Sequence, residues 1–408
     1  MFAKSILFSD SQRRIVFLAV ITAVCLMSDS MLYVVLPLHW QETGLTSLWE
    51  VGIILSVNRF TRLAANPFAG WLYTRVKIRT CIIAAVIFAL CANGGYAFCH
   101  GLFSWCVLRA MWGVAWSLLK IGSLAAILEL TEVTNRGDMV GMYNGLYRIG
   151  SLAGMLCGGF LADLFGFAPT ALIFAAPVAP ALILTAVVIP NVRARNTNKQ
   201  AEGRSAFSDL KKAWSLLPFL ATALLVNFTL LGVLSSSLGP MVKEHLGESI
   251  LIFGLVIGCA SVTGIFQSLR WIAELFFARR FGRISDGRLG RTRVLALSLT
   301  IGSVLFFMAG LPSLTGLAWT AVILMIQITA TAMNTATDAV VTDQAALSSH
   351  PMIMLAAYAF FSDLGMALAP PIMFWAGSSW GFSPMYMAVA LVLGIAAFAW
   401  SVRARQHQ

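Results

Sequence analysis

NVRARNTNKQAEGRSAFSDLKKAW, residues 191–214, is the one long polar stretch in a chain of 408 residues that is 59% hydrophobic and only 11% charged. It has the composition of a solvated linker. On each side of it stand six apolar segments of about 20 residues each, the length a helix needs to cross the hydrocarbon of a bilayer. They run over 15–37, 51–72, 79–98, 103–128, 139–164 and 168–189, then 216–238, 251–278, 294–311, 318–341, 353–376 and 385–402. The pattern predicts an all-α membrane protein of twelve transmembrane helices. An N-terminal six-helix bundle is expected over 1–190, a linker over 191–214 and a C-terminal six-helix bundle over 215–408. So apolar a chain has no water-compatible surface and must be solvated by lipid. The first run is as long as a bilayer span and no small-residue cleavage pattern follows it, so it reads as a retained helix and not a signal peptide.

Positive charge sorts by loop. Of the 28 Lys and Arg, 21 lie in every second gap: Lys4, Arg13 and Arg14 before the first segment, Arg75, Lys77 and Arg79 after the second, and Arg136 after the fourth. Six more follow the sixth segment, six follow the eighth (Arg279, Arg280, Arg283, Arg288, Arg291, Arg293), and Arg403 and Arg405 end the chain. Lys243 alone occupies the other side. Because basic flanks stay cytoplasmic, both termini and the linker are expected inside, in an integral, multi-pass protein of the plasma (inner) membrane. The net charge of +11 then describes a surface matched to anionic lipid headgroups, not a nucleic-acid site.

Several function classes drop out. The seven cysteines form no paired-spacing motif and lie mostly in apolar runs, so neither a disulfide framework nor a metal site is indicated. A phosphate-binding glycine loop with its Lys and Ser or Thr is missing, so ATP is not the energy source and no cofactor is expected. No His-Glu-x-x-His run, Gly-x-Ser-x-Gly turn or metal-spaced carboxylate cluster occurs, and the chain is not expected to be an enzyme.

The two sets of six segments echo each other, which is how many transporters build alternating access around a midplane site. GWLYTR (70–75) follows the second segment and GRISDGRLGR (282–291) follows the eighth; YRIG (147–150) in the fifth is matched by SDLG (362–365) in the eleventh. Six plus six helices, a central linker and these basic turns resemble the major facilitator superfamily over the whole chain, with a likeness to its drug/proton antiporters. The resemblance implies two pseudo-symmetric six-helix bundles. Its loop signature is intact at Gly282, Ile284, Asp286, Arg288, Gly290 and Arg291, though one residue longer than usual. It is degraded at Gly70, Leu72 and Arg75, where Thr74 replaces the acid and Lys77 the second glycine. In the family that acid caps a neighbouring helix and latches one conformation. LRAMWGVA (108–115) resembles the family's Arg-x-x-Gln-Gly motif, with Trp112 in place of Gln. GSLAGMLCGG (150–159) is similar to the antiporter glycine motif, with Met155 in place of proline. Gly150, Gly154 and Gly158 leave a bare groove in which another helix can lie close and pivot.

Ten ionisable side chains stand at membrane depth, away from the ends of the segments: Asp29, Arg59, Arg62, Arg109, Lys120, Arg148, Arg270, Glu274, Asp338 and Asp363. Each is costly in lipid and so should face the bundle interior with a partner or a pathway role. By the resemblance, the first and fourth helices line a central cavity, which makes Asp29 the expected proton carrier and Arg109 its modulator; a fixed structural ion pair is the competing reading. The resemblance likewise implies that helix pairs two with eleven and five with eight meet between the halves. At about 1.5 Å per residue the depths of Arg62 and Asp363 agree, so the expected pairs are Arg62 with Asp363 and Arg148 with Glu274. Lys120 and Asp338, at comparable depths, are candidates for a gate. Tyr33, Asn58, Arg59, Tyr147, Asn227, Arg270, Trp271, Asn334 and Tyr358 are expected to line the substrate cavity. Arg59, Arg62 and Arg270 are alternatively free to bind an anionic carboxylate. The reading is a secondary active transporter of a small organic molecule working by alternating access, with protons as coupling ion and lipid as its surroundings, acting as a monomeric exporter (antiport). Two alternatives stay open: an importer or symporter of an anionic metabolite or metal chelate, and a non-transporting membrane receptor.

Overall fold

The computed structural model describes residues 10–132, 135–189, 191–193, 210–252, 255–287, 289–347 and 351–406. Most of the linker, with Arg195, Lys199 and Arg204, lies outside the described residues, as do Lys4 and Arg288.

Before the linker come α1 (Asp10–His39, continued by a one-turn 3-10 helix), α2 (Leu48–Arg75), α3 (Ile78–Gly95), α4 (Leu102–Leu130) and α5 (Arg136–Phe165). The sixth segment is two pieces, α6 (Phe167–Ala175) and α7 (Val178–Val188), broken where Pro177 withholds a backbone donor. After the linker, α8 (Leu210–Asn227) runs through a π-helical stretch, Phe228–Leu234, into α9 (Ser235–Leu246). A hairpin of β1 (Ser249–Ile252) and β2 (Leu255–Gly258) leads into α10 (Cys259–Asp286), then α11 (Arg291–Ala309), α12 (Gly316–Leu347), α13 (Pro351–Trp380) and α14 (Phe382–Gln406).

The hairpin corrects the sequence reading, which began the eighth helix at residue 251. Ile250, Ile252, Val256 and Ile257 are β-branched and suit a pleated ribbon better than a helix, and the helix starts at Cys259. An apolar run this short fits either state until its partner strand is known.

Among the described residues, ten helical stretches are long and apolar enough to cross a membrane. Their outward faces are greasy: on α14, Leu391, Ile395, Phe398 and Val402 follow one another at helical spacing and are all exposed, a stripe that only lipid would cover without penalty. α2 and α10 stand outside the ten although each has 28 residues.

Before the linker, α1 packs on α5, and α4 on both α2 and α3; after it, α11 packs on α14 and α12, α10 on α12, and α8 on α13. The first group meets the second mainly through α2 against α13, α5 against α10 and α1 against α9. The stripe of Gly150, Gly154 and Gly158 admits α1. A Cβ added at Gly150 would lie 2.2 Å from Ala23 O, one at Gly154 2.3 Å from Met27 O, and one at Gly158 2.6 Å from Met31 Cγ. The groove read from sequence as a pivot is therefore filled along its whole length by α1, from the same side of the linker. At Gly150 and Gly154 backbone meets backbone, whereas Gly158 makes room for the Met31 side chain. The approaches across the linker divide use other glycines. An added Cβ would lie 2.7 Å from Pro370 O at Gly52, 2.3 Å from Ala260 O at Gly159 and 2.4 Å from Met155 O at Gly264. All three sit toward the hairpin face, opposite the basic turns, so the two groups are locked together there.

Candidate functional site

Where the two groups face each other, a cavity of roughly 200 Å³ opens, walled by α1, α2, α4, α5, the π stretch, α9, α10 and α13. Polar and aromatic side chains dominate its wall: Asp29, Tyr33, Asn58, Arg59, Arg62, Trp112, Trp116, Tyr147, Arg148, Ser235, Arg270 and Trp271.

Arg109 is fully buried and pairs with Asp29, which reaches the cavity. Its Nε donates to Ile54 O at 3.1 Å and a terminal nitrogen lies 3.5 Å from Tyr96 Oη, so α4 is tied to α2 and α3 through one guanidinium. Asn58 Nδ2 donates to Asp29 at 3.3 Å. A desolvated arginine needs its counter-ion. The pair is thus both a structural clasp and a carboxylate presented to the cavity.

Among the described residues, two ion pairs cross between the groups. Arg62 on α2 donates to Asp363 on α13 at 3.0 Å, and its guanidinium lies 5.8 Å from the centre of the Trp116 ring. Arg148 on α5 pairs with Glu274 on α10. Trp271 lies between two arginines, 5.6 Å from Arg148 and 4.9 Å from Arg270. Arg270 donates to Leu230 O, in the π stretch, at 3.0 Å and to Ser235 Oγ at 3.2 Å.

Of the side chains expected in the cavity, Tyr33, Asn58, Arg59, Tyr147, Arg270 and Trp271 line it; Asn227, Asn334 and Tyr358 do not. Asn227 turns onto α13, bonding Ser362 Oγ at 3.2 Å. Tyr358 donates to Asp338 instead of facing the cavity. Asn334 is on α12, which packs behind α10. Lys120 does not meet Asp338 among the described residues; its ammonium donates to Asn144 at 2.9 Å and Tyr147 at 3.2 Å.

In the basic turns, Arg291 bonds Asp286 at 2.8 Å, pairs with Asp343 and donates to Ala339 O at 3.3 Å, tying the α10–α11 turn to α12. Gly290 supplies the left-handed φ of +76° that lets the chain enter α11. A Cβ added at Gly282 would lie 3.9 Å from the Thr335 side chain. In the other copy Gly70 would meet nothing within 4 Å and Arg75 lies over Trp71. Instead that turn is held by the chain after α7, with Ile78 N donating to Val192 O at 2.8 Å and Arg79 Nε to Ile189 O at 2.7 Å. Of the glycines of α5, Gly150, Gly154 and Gly158 stand apart from the divide and face α1, whereas Gly159 meets Ala260 of α10 across it.

Sequence reasoning passed over Asp163. Near the end of α5 it accepts from Ser261 N at 2.8 Å and Ser261 Oγ at 2.5 Å, so an acid from one side of the divide caps the first turn of α10 on the other.

The Major Facilitator Superfamily model matches residues 18–284. Multidrug resistance protein MdtG of Proteus mirabilis (strain HI4320) is 26% identical over 275 residues, 65% of this chain; the match spans 64% of that protein. Two solved structures share the fold at low identity. A bacterial homolog of the human lysosomal transporter Spinster, inward-facing and unoccupied, superposes with a TM-score of 0.78 at 14% identity over 97% of both chains. The nucleoside transporter NupG superposes with a TM-score of 0.75 at 13% identity, over 96% of this chain and 99% of that one. A family match over well over half the sequence, on a helical fold that closes around a charged central cavity, means that this chain belongs to the major facilitator superfamily.

Proposed function

We propose that this chain is a proton-coupled exporter of a small organic molecule, a monomer in which two six-helix bundles (1–190 and 215–408) rock about the central cavity. Family membership makes it a multi-pass membrane transporter with a small-molecule substrate. α2 and α10, about 42 Å long at the helical rise, complete the twelve crossings. The basic face, with both termini and the linker, lies in the cytoplasm.

The observation that carries proton coupling is the Asp29–Arg109 pair, whose carboxylate opens on the cavity while its arginine is sealed in the wall. Such a carboxylate can exchange contact with its cation for a proton as the cavity changes shape, and the neighbouring helices respond because Arg109 also holds Ile54 O. Rocking is supported by the placement of the Arg62–Asp363 and Arg148–Glu274 pairs between the bundles. Gly150, Gly154 and Gly158 fix α1, and with it Asp29, to α5, so the two helices move as one body within the N-terminal bundle. Gly282, Asp286, Gly290 and Arg291 act with α12 as the turn that moves with the C-terminal bundle. The naming of the relatives as multidrug resistance proteins favours export. Import of an anion together with protons is the second reading, favoured by the arginines of the cavity wall.

Proteoliposomes with an imposed pH gradient and a panel of candidate substrates test both. Gradient-driven flux is expected in the parent and lost in Asp29→Asn. Flux unchanged in the variant removes Asp29 as proton carrier, and the sign of the gradient that drives accumulation separates antiport from symport.

A further inference from the structure

Donors in the cavity wall outnumber the acceptors that satisfy them. Of its four arginines, Arg62 and Arg148 have carboxylate partners. Arg59 donates to Tyr33 Oη at 3.1 Å and lies 2.9 Å from Met366 Sδ, while Arg270 holds only Leu230 O and Ser235 Oγ. Neither has an ion-pair partner among the described residues. Two more donors of the same wall, Arg62 Nε and Trp271 Nε1, are buried with no hydrogen-bond partner. Buried donors left unmade are costly, and a guanidinium without a counter-ion more so. The wall is therefore short of anionic oxygen, and it is short on both sides of the bundle interface, at Arg59 on α2 and at Arg270 on α10.

Asp29 provides the opposite pole. Both of its bonds, from Arg109 and Asn58, fall on Oδ1, leaving Oδ2 without a partner among the described residues. The coupling sign adds a constraint. An oxyanion alone would draw a proton onto Asp29 and travel with it, whereas export driven by proton entry needs ligand and proton to compete. A protonated nitrogen set on Oδ2 competes.

Resting on the reading of proton-driven export, we propose that the cavity takes an amphoteric small molecule. Its oxyanion, a carboxylate or phosphonate, bridges Arg59 and Arg270 between the bundles, and its protonated nitrogen sits on Asp29. The bridge also gives the ligand a reason to move the protein, because it replaces charge repulsion across the interface with a shared anion. Trp271, stacked under Arg270, supplies an apolar wall beside the anion.

The test is a charge square on one skeleton: phenylalanine, N-acetylphenylalanine, phenylalaninamide and N-acetylphenylalaninamide. Each is titrated by tryptophan fluorescence against the purified full chain in lipid nanodiscs, with no gradient. Phenylalanine is expected to bind tightest. Amidating its carboxylate should weaken binding roughly ten- to hundredfold, and that difference should vanish in the Arg59→Gln/Arg270→Gln variant. Acetylating the amine should weaken binding about tenfold, a difference that should vanish in Asp29→Asn. The Arg59→Lys/Arg270→Lys variant keeps the charges and should keep a preference for the carboxylate, which separates recognition from loss of fold. Amides binding as tightly as acids, an acid preference surviving in the double Gln variant, or a flat square, bound or unbound, overturns the proposal. The square and the flux assay fail separately: absent proton drive leaves the ligand class standing, and a flat square leaves the transport reading standing.

Discussion

Gly159→Ala should open the hairpin face of the protein. The added methyl would lie 2.3 Å from Ala260 O and 2.8 Å from Ala260 C, where real Cβ atoms come no closer than 3.0 Å. Both neighbours are backbone, so no side chain can swing aside; α5 and α10 must part by at least about 0.7 Å at this point. Overpacking of this kind costs about 1–3 kcal/mol, and only in conformations where the two helices touch here. The population should then shift toward the alternative state by roughly 5- to 150-fold. The gain in helix propensity from Gly to Ala, up to about 1 kcal/mol, acts on both states and cancels. Spin labels at Phe98→Cys and Trp380→Cys, both exposed and near the hairpin face on opposite sides of the divide, read the distance by double electron–electron resonance once the seven native cysteines are replaced. A lengthened distance population is expected. The reasoning fails if the distribution is unchanged, or if Gly141→Ala, whose methyl meets nothing within 4 Å, lengthens it equally.

Three further outcomes follow from the same contacts. Arg62→Ala strands the Asp363 carboxylate and should destabilise the present conformation by about 3–5 kcal/mol; the swap Arg62→Asp with Asp363→Arg should recover much of the melting temperature lost in either single variant, and additive losses would contradict it. Asp163→Ala removes the cap on α10, at about 1 kcal/mol, and should lengthen the Phe98–Trp380 label distance in the same direction as Gly159→Ala; a shortened distance would contradict the cap. Gly122→Ala drives a methyl to 2.0 Å from Tyr73 Oη, which is held on Leu118 O at 2.8 Å; a loss of thermal stability is expected, partly relieved by Tyr73→Phe, and an unshifted melting curve would contradict it.

The helices were legible because a bilayer sets one length for all of them, and runs of that length stand out without any knowledge of packing. Residues 251–258 misled because a short apolar run carries no periodicity that tells strand from helix. In the cavity, the argument that set Arg62 opposite Asp363 took the pairing of helices two and eleven from the family resemblance and the depth from the helical rise, and in the structure the two are 3.0 Å apart. Facing is harder to read than depth. Asn227, Asn334 and Tyr358 are polar interruptions like Asn58 and Tyr147, yet they turn to neighbours on their own side of the linker or lie behind α10. Asp163 was hidden for a different reason: an acid at the end of an apolar run looks like a solvated boundary, and its partner Ser261 is 98 positions away. Gly158 and Gly159 are neighbours in sequence, yet one admits Met31 of α1 and the other Ala260 of α10. Nothing in the glycine pattern separates them, because which helix a bare backbone meets is decided by the whole bundle.

The two helices that fall short of an ordinary membrane span are those that carry charge into the interface between the two groups. α2 and α10 hold Arg59 and Arg62, and Arg270 and Glu274, and with these charges neither is among the ten apolar spans. They occupy matching places, second in each set of six, and each packs across the divide, α2 on α13 and α10 on α5. Charge in lipid is tolerated only where it is enclosed, so these helices can persist only while each is covered by the opposite group. That requirement binds the two groups together and places ion pairs at the surface between them. Any motion that uncovered α2 or α10 completely would expose arginine to hydrocarbon. A rocking motion that trades one partner for another, or for a ligand, keeps the charges enclosed throughout. If the two groups rock as proposed, the intramembrane charge must stay enclosed throughout the motion.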